Sequence, residues 1–257
     1  MAKINKSLDE LVVLGLDTIS NLFHQTVVSQ VTNTQHQNRL KALFDFALHN
    51  EISLFPKIKI EDSDDIKQLC TEYLQRWCKK YTLSRDSSAL QRPLKNYGEQ
   101  DAALLQRVSA STDQSDEILQ YYLTGHYLYM SAENMNGAIL EEYLAQVLES
   151  HGWYWCAGSV FRAVDFCYFN ENSIILLQVK NKYNTENSSS SAIRAGTEIK
   201  KWNRLKRPKA GSFKPESNWQ ELHVLISANA ELVAQLTEEK YLDYIQKNST
   251  REIESLR

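Results

Sequence analysis

Several common sequence signatures are absent from this chain of 257 residues, and each absence excludes a class of function. The four cysteines form no Cys-x-x-Cys pair and no paired histidine ligands follow them, which argues against a zinc site. Buried free thiols in a reducing compartment are expected instead. No Gly-x4-Gly-Lys-Ser/Thr loop occurs, so a nucleotide cofactor is not expected.

Long apolar segments and an excess of positive charge are missing as well. The chain has no run of about 18 apolar residues, and its N-terminus has no apolar core followed by small residues. A cytoplasmic protein without a membrane partner is therefore expected. The formal net charge of -3 argues against a chain that coats nucleic acid indiscriminately, although it is compatible with a local basic patch.

The first half of the chain is dominated by apolar residues at helical spacing. The predicted helices cover Ile4 to about Val31, Leu40 to Leu48, a stretch capped by Ser63 or Asp64, a stretch from about Gln100, and Asp116 to Met130. A loop is predicted between Tyr81 and Tyr97, where serines and Arg92-Pro93 occur. Residues 1–132 are therefore predicted to form a helical region that serves recognition, buttressing or dimerisation.

The pattern changes after Glu133, where strand-like apolar runs alternate with helical segments. The predicted elements are a helix from Glu133 to Ser150, strands over Trp153–Cys156, Val160–Phe169 and Ile174–Lys180, a helix from Ser189 to Arg207, a strand over Leu222–Ser227, and a helix from Ala230 to Gln246. This order predicts an α/β (α+β) fold in which residues 133–257 build a small mixed sheet flanked by helices.

Three polar side chains interrupt the apolar strands at Val164–Lys180 and form the candidate site. Asp165, Gln178 and Lys180 occupy positions where a polar group is costly unless it is paired or used. Gln178 and Lys180 share a face because side chains alternate along a strand. A tight turn at Glu171-Asn172 would place Asp165 opposite Gln178, so that the three side chains converge.

A carboxylate on the preceding helix is the fourth candidate. At about 100 degrees per residue, Glu141 falls on the edge of the apolar face of that helix, whereas Glu142 points away. Glu141 is therefore placed where it can approach Asp165. The alternative is that Glu141 is a boundary residue whose aliphatic stem is packed.

A polar and basic tract follows the Gln-x-Lys strand. Between Ile199 and Lys214 there are seven Lys or Arg residues and no acid, which indicates a surface that faces a polyanion. In the predicted helix, Arg194, Lys201 and Arg204 lie opposite the apolar face that contains Trp202. The serine run from Ser188 to Ser191 can cap this helix and present amides to phosphate. A flexible loop and a solvated basic face are the alternatives.

The stretch from Gln178 to Arg204 resembles type II restriction endonucleases of the SinI kind, within the PD-(D/E)xK superfamily. The resemblance covers about Gly137 to Arg207 and does not extend into the N-terminal helices. It implies a homodimeric, magnesium-dependent enzyme that cuts short palindromic sites in double-stranded DNA, leaves 5′-phosphate ends, and recognises a GG(A/T)CC-like sequence.

The resemblance also implies roles for particular residues. The catalytic positions correspond to Glu141, Asp165, Gln178 and Lys180. The Mg²⁺ ligands would be Asp165, the Gln178 amide oxygen and the Val179 backbone carbonyl, with Glu141 as a further candidate ligand. Candidate DNA contacts are Asn181, Lys182, Asn187, Ser188, Ser189, Ser190, Arg194, Lys201 and Arg204. Gln178 replaces the commoner acid of the superfamily and no proline precedes Asp165, so the number of metal ions stays open.

Two other hypotheses fit the same residues. The first is a repair or recombination nuclease with the same core that recognises DNA structure rather than sequence. The second is a DNA-binding or helical interaction protein whose nuclease-like core is inert. Cleavage of a plasmid into discrete fragments, into a smear, or not at all separates the three hypotheses.

Overall fold

The computed structural model of the protein describes residues 2–183, 198–208, 211 and 214–256. Its α-helices are α1 (Leu16–Gln30), α2 (Thr34–Asn50), α3 (Ile66–Asp86), α4 (Ala102–Thr112), α5 (Asp116–Leu148), α6 (Trp219–Leu225), α7 (Ala230–Gln235) and α8 (Glu238–Asn248). Its strands are β1 (Lys3–Lys6), β2 (Ile58–Glu61), β3 (Leu94–Lys95), β4 (Tyr154–Trp155), β5 (Phe166–Asn170), β6 (Ser173–Lys182), β7 (Lys200–Leu205) and β8 (Ile253–Glu254). Helices and strands together confirm the predicted α/β (α+β) class.

The chain divides into two compact units that are interleaved in sequence. The first unit contains Met1–Ser87 and Leu144–Glu238, and the second contains Ser88–Tyr143 and Glu239–Arg257. The split predicted between residues 132 and 133 assigns different roles to the two halves of the chain, and that assignment stays a prediction.

Aromatic packing holds the N-terminal helices of the first unit together. Phe23 of α1 stacks on Phe44 of α2 with ring centroids 3.8 Å apart, and Trp77 of α3 meets both rings edge-on. Phe55 tilts against Trp77, and all four rings are fully buried. Burying each such ring contributes about 1.5–3 kcal/mol, so this cluster stabilises the helical layer.

A close backbone approach joins α3 to the segment that leads into the sheet. A Cβ atom on Gly158 would lie 2.2 Å from the carbonyl oxygen of Lys80, and the φ angle of Gly158 is +70°. Only glycine fits such a contact. The indole N–H of Trp77 donates to the carbonyl oxygen of Val160 at 2.9 Å, which fixes the same segment a second time.

Within the described residues of the first unit, four strands form a sheet in the order β4-β5-β6-β7. The β4/β5 and β5/β6 pairs are antiparallel, whereas β6 and β7 run parallel. The chain also forms a separate antiparallel pair from β1 and β2. The predicted small mixed sheet is therefore confirmed.

The second unit contains α4, most of α5 and the short parallel pair β3/β8, in which Leu94 lies beside Ile253. Glu142 of α5 accepts hydrogen bonds from the Ser88 hydroxyl at 2.8 Å and from the Ala89 N–H at 2.6 Å. Glu142 is therefore half-buried and hydrogen-bonded. Its position on the helix instead predicts a side chain that points away from the packed face.

Two predicted elements have the wrong secondary structure. The described end of the helix predicted from Ser189 to Arg207 is strand β7, because Trp202 and its neighbours complete the ladder of β6. The strand predicted over Leu222–Ser227 is part of α6. Buried Trp219, Leu222 and Ile226 recur there at helical spacing, which a six-residue apolar window does not reveal.

Several helix boundaries also differ from the prediction. The N-terminal helical stretch begins as strand β1, and α3 is capped by Asp65 and continues into the predicted loop as far as Asp86. The two helices predicted on either side of Ser131 are the single helix α5, and the last predicted helix is divided into α7 and α8. The four cysteines are buried, as predicted.

Among the described residues, no single helix is long and apolar enough to cross a bilayer. One bent pair, Leu8–Leu14 with Leu16–Gln30, reaches that length and composition only when both parts are counted together.

Candidate functional site

The hairpin of β5 and β6 has the predicted turn and register. Asn170 pairs with Ser173, which leaves Glu171 and Asn172 as the two turn residues. The ladder ends at the Phe166/Leu177 pair, and the N–H of the preceding residue, Asp165, donates to the carbonyl oxygen of Leu177 at 2.9 Å. Asp165 therefore lies next to β6 at the start of β5, and its predicted position opposite Gln178 stays a prediction.

The parallel pairing of β6 with β7 places polar residues of the two strands side by side. Gln178 is aligned with Lys201, and Lys180 is aligned with Asn203. Aligned residues of neighbouring strands project from the same side of a sheet. One side, here called the site face, is therefore defined by Gln178, Lys180, Lys182, Lys201 and Asn203, and Asp165 borders it at the start of β5.

Asp165 is half-buried and is held by the backbone of the neighbouring strand. Its Oδ2 accepts a hydrogen bond from the Val179 N–H at 2.7 Å. Burial raises the pKa of the Asp165 carboxyl, while the positive charge of Lys180 and the Val179 N–H oppose that rise.

Two buried acceptors on the site face have no hydrogen-bond partner among the described residues. They are Oε1 of Gln178, a residue that is only 2% exposed, and Oδ1 of Asn203. Leaving a buried acceptor unpaired costs about 1–3 kcal/mol. Native proteins rarely retain such atoms without a function or an unseen partner.

The other end of the site face is apolar. Phe169 stacks on Tyr154 of β4 with centroids 4.7 Å apart, and Phe46 of α2 stacks on Phe169 at 4.4 Å. The aromatic rings cover the sheet near the β5/β6 turn. The polar groups are thereby confined to the part of the face where Asp165 enters β5 and where β6 ends.

The opposite face of the sheet contains two of the predicted DNA contacts, Asn181 and Arg204. Arg204 Nε donates to Asn181 Oδ1 at 2.8 Å, and its guanidinium also pairs with Glu238. Glu238 in turn accepts a hydrogen bond from the indole of Trp219 at 2.8 Å. Lys201 and Arg204 were predicted to share a helix face, but on strand β7 they project from opposite sides, so that prediction is wrong.

The described structure does not test the remaining predicted residues. Glu141 belongs to the second compact unit, and its part in the site stays a prediction. The candidate DNA contacts Asn187, Ser188, Ser189, Ser190 and Arg194 lie outside the described residues. Sequence reasoning missed Asn203, because the helical interpretation of residues 199–204 hid the two-residue alternation that places it beside Lys180.

The oxygen atoms on the site face suit a hard divalent cation. No group of three His, Cys, Asp or Glu side chains that could hold a metal occurs among residues 2–183, 198–208, 211 and 214–256. Magnesium, however, needs only one or two protein carboxylates and takes its other ligands from water and phosphate. The carboxylate of Asp165 and the unpaired Oε1 of Gln178 fit this requirement.

Comparison with known proteins adds evidence that is independent of this geometry. The family model described as SinI restriction endonuclease matches residues 72–250, which include the whole β4–β7 sheet. The chain belongs to the SinI restriction endonuclease family. The match begins well before Gly137, so the family relationship extends further into the helical region than the sequence motif indicates.

Two relatives of this chain are named as type II restriction enzymes. The type II restriction enzyme Eco47I of Escherichia coli is 58% identical over 79 residues, which are 30% of this chain and 34% of the relative. The type II restriction enzyme SinI of Salmonella infantis is 44% identical over 115 residues, which are 44% of this chain and 48% of the relative. The matched segments thus span between about a third and about half of the length of these relatives.

Proposed function

We propose that this protein is a type II restriction endonuclease that hydrolyses phosphodiester bonds of double-stranded DNA and leaves 5′-phosphate ends. The observation that carries the proposal is that Asp165 is hydrogen-bonded to the strand whose Gln178 and Lys180 share one face, in a member of the SinI family. We further propose that the β4–β7 sheet and its helices are a PD-(D/E)xK core and that the enzyme acts as a homodimer on a palindromic site.

The proposed cofactor is Mg²⁺, held by the Asp165 carboxylate and by the neutral oxygens of Gln178 and Val179. The orphaned Oε1 of Gln178 supports this assignment, because a cation would supply the partner that this buried atom lacks. Such an ion stabilises developing negative charge and makes water more acidic. Gln178 adds no charge, so the electrostatic attraction for the ion depends mainly on Asp165.

The cationic side chains of the site face act on the DNA backbone. Lys180 donates to the scissile phosphate and offsets the negative charge that grows as water attacks phosphorus. The oxygen of water forms a bond to phosphorus, the bond from phosphorus to the 3′ oxygen breaks, and the 3′ oxygen leaves as a hydroxyl. Lys182 and Lys201 lie on the same face and are suited to hold flanking phosphates.

Digestion of a plasmid of known sequence tests the proposal. The full chain is incubated with supercoiled plasmid and Mg²⁺, and the fragment ends are sequenced. We expect discrete fragments with 5′-phosphate ends and one short palindromic sequence at every cut. The variants Asp165→Ala and Lys180→Ala should lose cleavage while DNA binding in a gel-shift assay is largely retained.

Other outcomes would contradict the proposal in distinguishable ways. A smear, or cutting confined to branched DNA, would favour a nuclease that recognises structure. Intact plasmid under every condition, with DNA still bound, would indicate an inert core.

A further inference from the structure

Asn203 is the site-face residue that the proposed reaction has not yet used. It lies in the middle of β7 and is aligned with Lys180 of β6. Its backbone carbonyl accepts a hydrogen bond from the Asn218 side chain at 3.3 Å, so its main chain has a structural partner. Its side-chain oxygen does not, among the described residues.

The neighbour of Asn203 on β6 is Lys180, whose ammonium group is a hydrogen-bond donor. Strands in a sheet are about 4.8 Å apart, so the Asn203 carboxamide lies beside the stem of Lys180. The Lys180 ammonium has three N–H donors and interacts electrostatically with Asp165. The register thus makes Lys180 the neighbouring donor for the Asn203 oxygen.

Structural stability does not account for this carboxamide. A buried acceptor without a partner destabilises the folded state, and an apolar side chain of the same shape avoids that cost. Asn229 Oδ1 of the same unit, by contrast, accepts the Leu232 N–H at 2.9 Å at the start of α7. An asparagine retained at position 203 is better explained by a role in the site than by folding.

We propose that Asn203 is a positioning residue for Lys180. Its carboxamide oxygen accepts one N–H of the ammonium in the complex with DNA, so that the remaining donors point at the scissile phosphate. The inference rests on the proposed nuclease function. It concerns how Lys180 is oriented and leaves the identity of the metal ligands unchanged.

Substitution by an isosteric apolar residue tests the inference. In Asn203→Leu, kcat for plasmid cleavage should fall about 10- to 100-fold, the range for loss of a hydrogen bond to a charged group. KM should change little, because the phosphate-binding lysines stay in place. The melting temperature should be unchanged or a few degrees higher. Asn203→Asp keeps an acceptor oxygen in the same place and should restore most of the activity.

A matched asparagine provides the control. Asn229→Leu removes a satisfied N-cap, so it should lower the melting temperature by a few degrees and leave kcat unchanged. The two Asn-to-Leu variants should thus have opposite signatures. One loses activity without losing stability, and the other loses stability without losing activity.

The outcomes separate this inference from the function on which it rests. If the wild-type protein cleaves plasmid and Asn203→Leu cleaves at the wild-type rate, only the role of Asn203 is wrong. If Asn203→Leu loses activity and stability together, or if Asn203→Asp does not recover activity, the side chain is structural and the inference is overturned. If the wild-type protein does not cleave at all, the nuclease proposal fails first and the inference fails with it.

Discussion

The two faces of the β4–β7 sheet differ in how their buried side-chain amide oxygens are hydrogen-bonded. On the face away from the site, Arg204, Asn181, Glu238 and Trp219 form one connected set of hydrogen bonds and an ion pair. On the site face, the side-chain oxygens of Gln178 and Asn203 are buried without a partner in the described structure. Strands β6 and β7 contribute side chains to both faces.

This difference separates residues that stabilise the fold from residues that are available to a ligand. A fully satisfied buried network holds one arrangement of the chain. Unsatisfied acceptors destabilise the free protein, and they become favourable only when another molecule supplies their partners. Charge alone does not make the distinction, because lysines or arginines occur on both faces.

The largest expected effect is the loss of catalysis on removal of the Asp165 charge. Asp165→Asn keeps an oxygen that can accept from the Val179 N–H, so the fold should persist. Cleavage should fall by at least about 10³-fold, because a cation held by one carboxylate loses its charged ligand. Single-turnover plasmid cleavage, with circular dichroism as a control for folding, checks this. Near-normal cleavage would remove Asp165 from the site.

The second effect concerns stability on the opposite face. Arg204→Met leaves Asn181 Oδ1 without that donor and removes the ion pair with Glu238. The Arg204 side chain is 12% exposed and the Glu238 side chain 31%, so a loss of about 2–3 kcal/mol in the free energy of unfolding is expected, less than for a fully buried pair. Urea denaturation measures it. An unchanged midpoint would show that this network is not structural.

A third substitution should separate stability from function at a single residue. Gln178→Leu removes a buried, unpaired oxygen, so the free energy of unfolding should stay constant or rise by up to about 1 kcal/mol. The Mg²⁺ concentration for half-maximal cleavage should rise about tenfold or more. Gln178→Glu is the matched variant, and its added carboxylate should lower that concentration. Destabilisation by Gln178→Leu would show that the oxygen has a structural partner.

The smallest effect compares two adjacent lysines on opposite faces of β7. Lys201 lies on the site face beside Gln178, whereas Lys200 is exposed on the other face and donates to the Leu225 carbonyl oxygen at 3.3 Å. Lys201→Ala should reduce the slope of log K for DNA binding against log salt by about 0.9, the value for one phosphate contact. Lys200→Ala should not change that slope. Equal slopes in both variants would remove Lys201 from the DNA surface.

Short-range patterns predicted the β5/β6 hairpin correctly. A tight turn between two apolar strands fixes their register, and a period of two fixes the face on which each side chain lies. The turn at Glu171-Asn172 and the shared face of Gln178 and Lys180 followed from those two rules alone. The helix segments of the first half were likewise detectable, because amphipathic periodicity over a dozen or more residues is a strong signal.

The errors occurred where long-range pairing decides between alternatives. Residues 199–204 have a helical apolar spacing and also a strand alternation. The unpaired edge of β6 favours the strand, because β7 satisfies its backbone groups. With that change Arg204 moved to the opposite face, and Asn203 came next to Lys180. No local rule assigns these positions.

The amino-acid order by itself determined the class of fold, the hairpin, and the shared face of Gln178 and Lys180, since each depends on neighbours close in sequence. Only the tertiary structure decided which basic residues share the site face and which polar atoms lack partners. Those properties depend on how β7 pairs with β6, a contact that becomes favourable only after the chain has folded.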